Sequence, residues 1–226
     1  MSLLVNVVRV FVDERGEHGN PLGIVWASPS TDRREQQIAA DLGFSETIFI
    51  DEVADGSATA RIFTPRQELP FAGHPTVGLA AWLHANGDAI KTLDVPAGRA
   101  HVRVDGEFVF VAALPAWSPD FEIDQFDSAE EVDAVDPQAY GEGLFYVWAW
   151  LDEEERRVRA RMFAPEFGIR EDEATGAAAV RLTAALGLDL EIVQGAGSLL
   201  YTHVRHGGQQ IEVGGRVSEA TAIEQR

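Results

Sequence analysis

The chain contains no cysteine, so it can form no disulfide, no thiolate metal site and no catalytic thiol. Lysine is almost missing as well: Lys91 is the single one, and 18 basic residues stand against 37 acidic ones, which gives a formal net charge of -19. Nucleic acids and anionic membrane surfaces bind basic patches, so we expect neither as a partner. Small molecules are the ligands that this charge balance favours.

Long hydrophobic runs are absent too. The longest, residues 3–8 and 78–83, are far shorter than the roughly 20 residues that a membrane-spanning helix needs. The first residues also lack the basic and then apolar pattern of a secretion signal. With 46% hydrophobic residues among 226, the chain can still bury a large core, and we expect a cytoplasmic globular protein.

The acidic, lysine-poor composition has two explanations. A GC-rich genome favours arginine, alanine and glycine over lysine, with no selection on charge. Alternatively, the protein is adapted to a high-salt cytoplasm, where salt screens the self-repulsion of an acidic surface. The composition is compatible with both explanations.

Apolar and alternating runs predict strands through most of the first 115 residues. The strand-like runs are residues 5–11, 23–27, 46–53 and 58–65, followed by a hairpin over 101–114 around Asp105-Gly106. Helical spacing is seen over residues 31–42, which Gly43 ends, and over 75–86. The polar stretch 115–137 then predicts a boundary between an N-terminal domain, 1–115, and a shortened C-terminal domain, 116–226, whose last strand packs on the first domain.

The second half resembles the first. RIFTP at 61–65 returns as RMFAP at 161–165, and His74 and Asp172 each stand four residues before a glycine of the following helix. Two matches in the same order indicate a duplicated unit. A pseudo-twofold pair of domains would bring the two loops together at one cleft.

The loop residues allow a functional and a structural interpretation. Small residues at 172–176 leave backbone N–H groups free at a helix start, which suits a carboxylate, but Asp172 could simply cap that helix and Gly73 simply make a turn. Glu46 has the same ambiguity. At a strand edge it is usually solvated, whereas in a closed apolar cleft its pKa would rise and make it a general base.

Four motifs together resemble the phenazine-biosynthesis PhzF-like family. They are GNPLGIV at 19–25, SETIFI at 45–50, RIFTPRQELPFAGHPTVG at 61–78 and RMFAPEFGIREDEATGAAA at 161–179. The resemblance implies an α+β fold like that of diaminopimelate epimerase. Two pseudo-symmetric domains, each a curved and mostly antiparallel sheet wrapped around a central helix, would enclose the active site between them.

The resemblance also implies cofactor-free isomerisation without a metal, in a homodimer. Glu46 would be the base, with His74 and Asp172 as polar partners around the reacting centre. The residues expected to bind the substrate are Asn20, Gly73, Thr175, Gly176 and Ala177. Epimerases of this fold use two cysteines as acid and base, so the lack of cysteine excludes that mechanism here.

Two features depart from the family pattern. Ala177 stands where the family has a serine, which removes one hydrogen bond worth roughly 0.5–1.5 kcal/mol. The polar region before Leu144 replaces further apolar strands.

We therefore predict an isomerase that moves a proton between carbons of a small carboxylic acid. The alternative is a non-catalytic protein that binds small carboxylates in the same two-lobed pocket, and a purely structural role is the weakest reading. Motifs of serine hydrolases, P-loop proteins and dinucleotide-binding proteins are absent.

Overall fold

The computed structural model describes residues 3–165 and 169–225. Residues 166–168, part of the motif at 161–179, lie outside the described residues. The described strands are β1 Leu3–Val12, β2 His18–Trp26, β3 Glu46–Ala54, β4 Ser57–Phe63, β5 Glu68–Leu69, β6 Thr92–Val95, β7 Gly98–Asp105, β8 Phe108–Ala113, β9 Glu122–Gln125, β10 Phe145–Asp152, β11 Arg157–Ala164, β12 Ile169–Asp172, β13 Leu190–Gln194, β14 Ser198–Arg205, β15 Gln210–Val217 and β16 Thr221–Gln225. The helices are α1 Glu35–Leu42, α2 Gly73–Ala85, α3 Ala129–Ala134 and α4 Gly176–Leu186.

Local sequence accounts for several of these boundaries. Gly106, at a φ of 60°, turns the predicted hairpin between β7 and β8. Gly43 ends α1 in the left-handed conformation, at a φ of 69°. The start of α1 differs from the prediction: it begins at Glu35, because the hydroxyl of Thr31 bonds to the backbone of Ser28 and does not cap the helix.

The N-terminal half of the chain, together with strand β15 from the C-terminal half, forms a closed, curved sheet around α2. Neighbouring strands follow the order β1-β2-β3-β4-β6-β7-β8-β15, and β15 pairs back with β1 to complete the ring. Helix α2 is apolar on nearly all sides, and Val77, Leu79 and Leu83 are fully buried within the ring. A helix that is hydrophobic all round is stable only in such an enclosed position.

The second half repeats this arrangement as an open curved sheet beside α4. From β15 the hydrogen bonding continues through β14, β13, β11, β10 and β9, and α4 packs against β14 and β15. The mostly antiparallel sheets and the central helices of the predicted fold are thus confirmed. The boundary near residue 115 stays a prediction, because pairing runs without a break between the halves and β16 pairs with β1.

The duplication extends further than the sequence motifs indicate. In the first half β2 runs parallel to β3 with α1 between them, and in the second half β9 runs parallel to β10 with α3 between them. The polar stretch 115–137 therefore contains a strand and a helix of the second repeat. It is polar because β9 is an edge strand and α3 buries a single residue, Val132.

None of the helices in the described part of the chain is long and apolar enough to cross a membrane.

Candidate active site

A cavity of about 400 Å³ opens where α2 and α4 begin. Such a volume suits a small organic ligand. Seven of the eight residues predicted from the sequence lie on its wall: Glu46, Gly73, His74, Asp172, Thr175, Gly176 and Ala177. The fold thus brings together residues that are up to 131 positions apart, from Glu46 to Ala177.

Glu46 and His74 form a buried pair in this cavity. Glu46 is the first residue of β3, and its side chain is 14% exposed, whereas that of His74 is 3% exposed. His74 Nδ1 lies 2.8 Å from Glu46 Oε2, although the contact is not aligned as a hydrogen bond. Glu46 Oε2 and His74 Nε2 are both buried and have no hydrogen-bond partner among the described residues. Glu46 therefore does not lie at a solvated strand edge.

Asp172 is held in place by two side chains and does not cap α4. It accepts hydrogen bonds from Asn20 Nδ2 at 2.8 Å and from Thr175 Oγ1 at 2.5 Å. The residue before α4 is Thr175, and its side chain makes no capping hydrogen bond to that helix. Burial, and next the charge of Glu46, raise the pKa of Asp172 to about 7. Its carboxyl group is thus partly protonated near neutral pH.

The starts of α2 and α4 touch each other through two glycines. A Cβ atom on Gly73 would lie 2.8 Å from Gly176 Cα, and one on Gly176 would lie 2.9 Å from Gly73 Cα. Side chains cap neither helix. Two positive helix ends with free backbone donors therefore converge on one point, which favours an anion there.

This contact corrects one expectation about the repeat. Gly73 and Gly176 begin equivalent helices and approach each other symmetrically, so the counterpart of His74 is Ala177. Asp172, in contrast, lies four residues before the start of its helix. The spacing that paired His74 with Asp172 is coincidental. The two loops do meet at one cleft, but they supply different polar groups to it.

Asn20 lies behind Asp172 and is not among the residues on the cavity wall. Besides Asp172, its Nδ2 donates to the carbonyl of Ala174 at 3.1 Å, and its Oδ1 accepts from Ser45 Oγ at 3.0 Å. Ser45 precedes Glu46 in the chain. Asn20 therefore connects the Glu46 strand of one half to the Asp172 loop of the other.

Gln194 is a positioning residue that belongs to none of the sequence motifs. Its Nε2 donates to the carbonyl of Asp172 and to Thr175 Oγ1, at 3.0 and 2.9 Å. Its Oε1 accepts from the N–H of Thr175 and from the hydroxyl of Tyr146, both at 3.2 Å. Gln194 ends β13 and is fully buried. A lone glutamine at the end of an apolar run is the only signal in the sequence.

Acidic and histidine side chains that could share a metal ion are found, among the described residues, in one group. Asp13, Glu17 and His18 lie at the turn between β1 and β2, outside the cavity.

The family model of the phenazine biosynthesis-like proteins, PhzC-PhzF, matches residues 8–134 and 111–223 of this chain. The chain belongs to this family. A trans-2,3-dihydro-3-hydroxyanthranilate isomerase of Pseudomonas aeruginosa is 28% identical over 249 aligned positions, which cover 85% of this chain and 87% of that protein. A protein of the same name from Pseudomonas chlororaphis is 29% identical over 223 positions, covering 78% and 80%. The prediction of an isomerase is confirmed at this level.

Solved structures confirm the predicted fold. A PhzF-family protein of Enterococcus faecalis superposes with a TM-score of 0.77 at 21% identity, over 100% of both chains. A probable proline racemase of Agrobacterium radiobacter gives a TM-score of 0.64 at 12% identity, over 99% of this chain and 93% of that one. At such identities the likeness concerns the fold alone.

Proposed function

We propose that this member of the PhzF family is a cofactor-independent isomerase that moves a proton between two carbons of a small carboxylic acid, with Glu46 as both base and acid. One observation carries the proposal. Glu46 and His74 line the cavity in which two uncapped helix starts converge, and Glu46 Oε2 and His74 Nε2 are buried without a hydrogen-bond partner among the described residues. Buried polar atoms without partners are rare, and here they form one set in a ligand-sized space.

The substrate carboxylate would bind at the helix starts. Backbone N–H groups at Gly73 and His74 in α2, and at Gly176 and Ala177 in α4, are the first donors of their helices and have no acceptor within them. Pro75 follows directly and has no N–H to offer. Thr175 contributes indirectly, since its hydroxyl is engaged with Asp172 and Gln194.

The chemistry needs a single carboxylate. Glu46 removes a proton from a carbon next to an unsaturated or carbonyl-like group, and the electrons of the broken C–H bond pass into that group. The Glu46 carboxylic acid then returns the same proton to another carbon on the same face, which shifts the double bond without any net oxidation. His74 would hold the Glu46 carboxylate, and protonated Asp172 could donate a hydrogen bond to the reacting system.

The names of the relatives suggest the first acids to test. The Pseudomonas proteins are named for an isomerisation of trans-2,3-dihydro-3-hydroxyanthranilate, which is a ring acid with a hydroxyl and an amino group. We include this acid, together with simpler unsaturated ring acids, among the candidate substrates.

Incubation with these acids in deuterated water tests the proposal. We expect isomerised product by NMR and mass spectrometry, and a loss of rate of at least about 100-fold in Glu46→Gln, because the base is gone. Glu52→Gln is the matched control, since Glu52 lies on the same strand and is exposed. Full activity of Glu46→Gln would show that the base is assigned wrongly.

The second candidate function is binding of small carboxylates without turnover. Ala177 favours it, because its methyl group offers no hydrogen bond at the start of α4. In that case the acids would raise the melting temperature, and no isomer would be found.

A further inference from the structure

Among the described residues, six side-chain atoms are buried and have no hydrogen-bond partner. They are Glu46 Oε2, Thr47 Oγ1, His74 Nε2, Ser118 Oγ, Arg216 Nη1 and Gln225 Oε1. Three of these six belong to residues on the wall of the candidate active site: Glu46, His74 and Ser118. The first two form the proposed catalytic pair. Ser118 takes no part in the proposed proton transfer.

Ser118 has no evident structural use for its hydroxyl. It follows a 3₁₀ turn, Pro115–Trp117, in the connection between β8 and β9, and it is 6% exposed. Its backbone N–H donates to the carbonyl of Pro115 at 3.1 Å, which closes the turn without the side chain. A buried hydroxyl that lacks a protein partner is destabilising, and this one belongs to a residue on the wall of a ligand-sized cavity.

The position of Ser118 is fixed by the packing around it. The ring of the preceding Trp117 lies 5.7 Å from that of Phe71, two residues before Gly73, and a Cβ atom on Gly98 would lie 2.8 Å from the Trp117 ring. The turn also contacts α4. Ser118 is thereby held relative to α4 and to the segment that leads into α2.

Apart from the site residues already described, Thr64 and the exposed Gln67, the wall is mostly apolar. Its residues include Phe71, Trp117, Phe121, Leu144 and Met162. The described residues of the wall include no arginine or lysine, so a second carboxylate on the substrate would find no counter-charge. The hydroxyl of Thr64, also on this wall, is already bonded to the backbone of Gln67.

We propose that Ser118 Oγ binds a polar substituent on the body of the substrate, remote from its carboxylate. The group that Ser118 would contact is a hydroxyl, amino or carbonyl group on an otherwise apolar, ring-sized body. Ser118 can donate to or accept from each of these groups. This inference rests on the proposed function, because it assumes a carboxylate at the helix starts.

Calorimetric titration with benzoate, 3-hydroxybenzoate and 4-hydroxybenzoate separates the two proposals. With the wild-type protein we expect at least one hydroxybenzoate to bind about 3- to 10-fold more tightly than benzoate, the gain of one neutral hydrogen bond. Ser118→Ala should abolish this preference and leave benzoate affinity unchanged. The exposed Ser30→Ala is the control and should keep the preference.

The melting temperature provides a second readout. Ser118→Ala removes an unpartnered buried hydroxyl, so we expect an unchanged or higher melting temperature without ligand, whereas a structural role would lower it. If the acids bind and Ser118→Ala keeps the preference, Ser118 is not the polar contact, and the proposed function still stands. If none of the three acids binds to the wild type, the carboxylate site and the role of Ser118 are both overturned.

Discussion

Asp172 is a carboxyl group whose surroundings favour its neutral form. It is buried beside Glu46, and these two causes outweigh the hydrogen bonds from Thr175 and Asn20, so that its pKa rises from 3.8 to about 7. Between these two pH values the folded protein binds a proton that the unfolded chain has released. Stability therefore falls as pH rises through this window, and the contribution is lost above about pH 7.

Asp172→Asn should remove this pH dependence. The neutral amide resembles the protonated carboxyl group and does not titrate. The melting temperature of the variant minus that of the wild type should therefore be larger at pH 8 than at pH 5. We expect a relative shift on the order of 5 °C. The exposed Asp88→Asn is the control for the loss of one charge. A difference between wild type and Asp172→Asn that is the same at both pH values would show that Asp172 does not titrate between them.

At the level of single residues, the sequence predicted most residues that line the cavity but not the residues that hold them in position. Motifs located Glu46, His74 and Asp172 because they are local strings of residues. Gln194 and Ser118 belong to no such string, and only folding brings them to the cavity. The contacts of Asn20 likewise depend on the pairing of distant segments.

At the scale of elements, the two central helices meet end to end. Two positive helix ends repel each other, so their contact at Gly73 and Gly176 is unfavourable until an anion binds between them. The absence of side chains is what allows the approach, since a Cβ atom on either residue would overlap the other backbone.

Gly176→Ala should force the helix starts apart. The added methyl group would lie 2.9 Å from Gly73 Cα, and we expect a loss of about 1–3 kcal/mol in unfolding free energy, measured by urea denaturation, together with weaker carboxylate binding. Gly141→Ala is the matched control, because a Cβ atom there meets nothing within 4 Å. Equal stability of the two variants would contradict the close approach.

The element pattern was predictable where hydrophobic runs are strong. The hairpin of β7 and β8 and the helix α2 follow directly from the sequence. Strand β9 and helix α3 were missed because they lie at an edge, where polar side chains face water and the usual apolar signal is absent.

At the scale of the whole molecule, the net charge of -19 opposes folding through self-repulsion. Pairs such as Arg103 with Glu212 and Arg161 with Glu171 offset this locally, and exposed pairs contribute little. Assembly as a homodimer stays a prediction, and a dimer would have to accommodate this charge.

Added salt should therefore stabilise the protein. We expect the melting temperature to rise by several degrees between 10 mM and about 500 mM NaCl, with KCl giving the same result, and then to level off as screening is complete. A continued linear rise would indicate exclusion of salt from the surface and not charge screening. No rise at all would mean that ion pairs balance the net repulsion.

The amino-acid sequence alone was enough to predict the family, the strand and helix periodicity, the acidic charge and the residues that can act as acid, as base or as hydrogen-bond donors to an anion. These properties follow from short segments of the sequence, because they depend on the spacing of side chains along the chain and on which side chains ionise. Only the folded structure shows which residues share the cavity, that the helix starts meet at two glycines, that burial raises the pKa of Asp172 and that Ser118 lies on the cavity wall. Burial and proximity depend on contacts between separate segments of the chain, some of them as distant as Asn20 and Asp172, and no local pattern encodes such contacts.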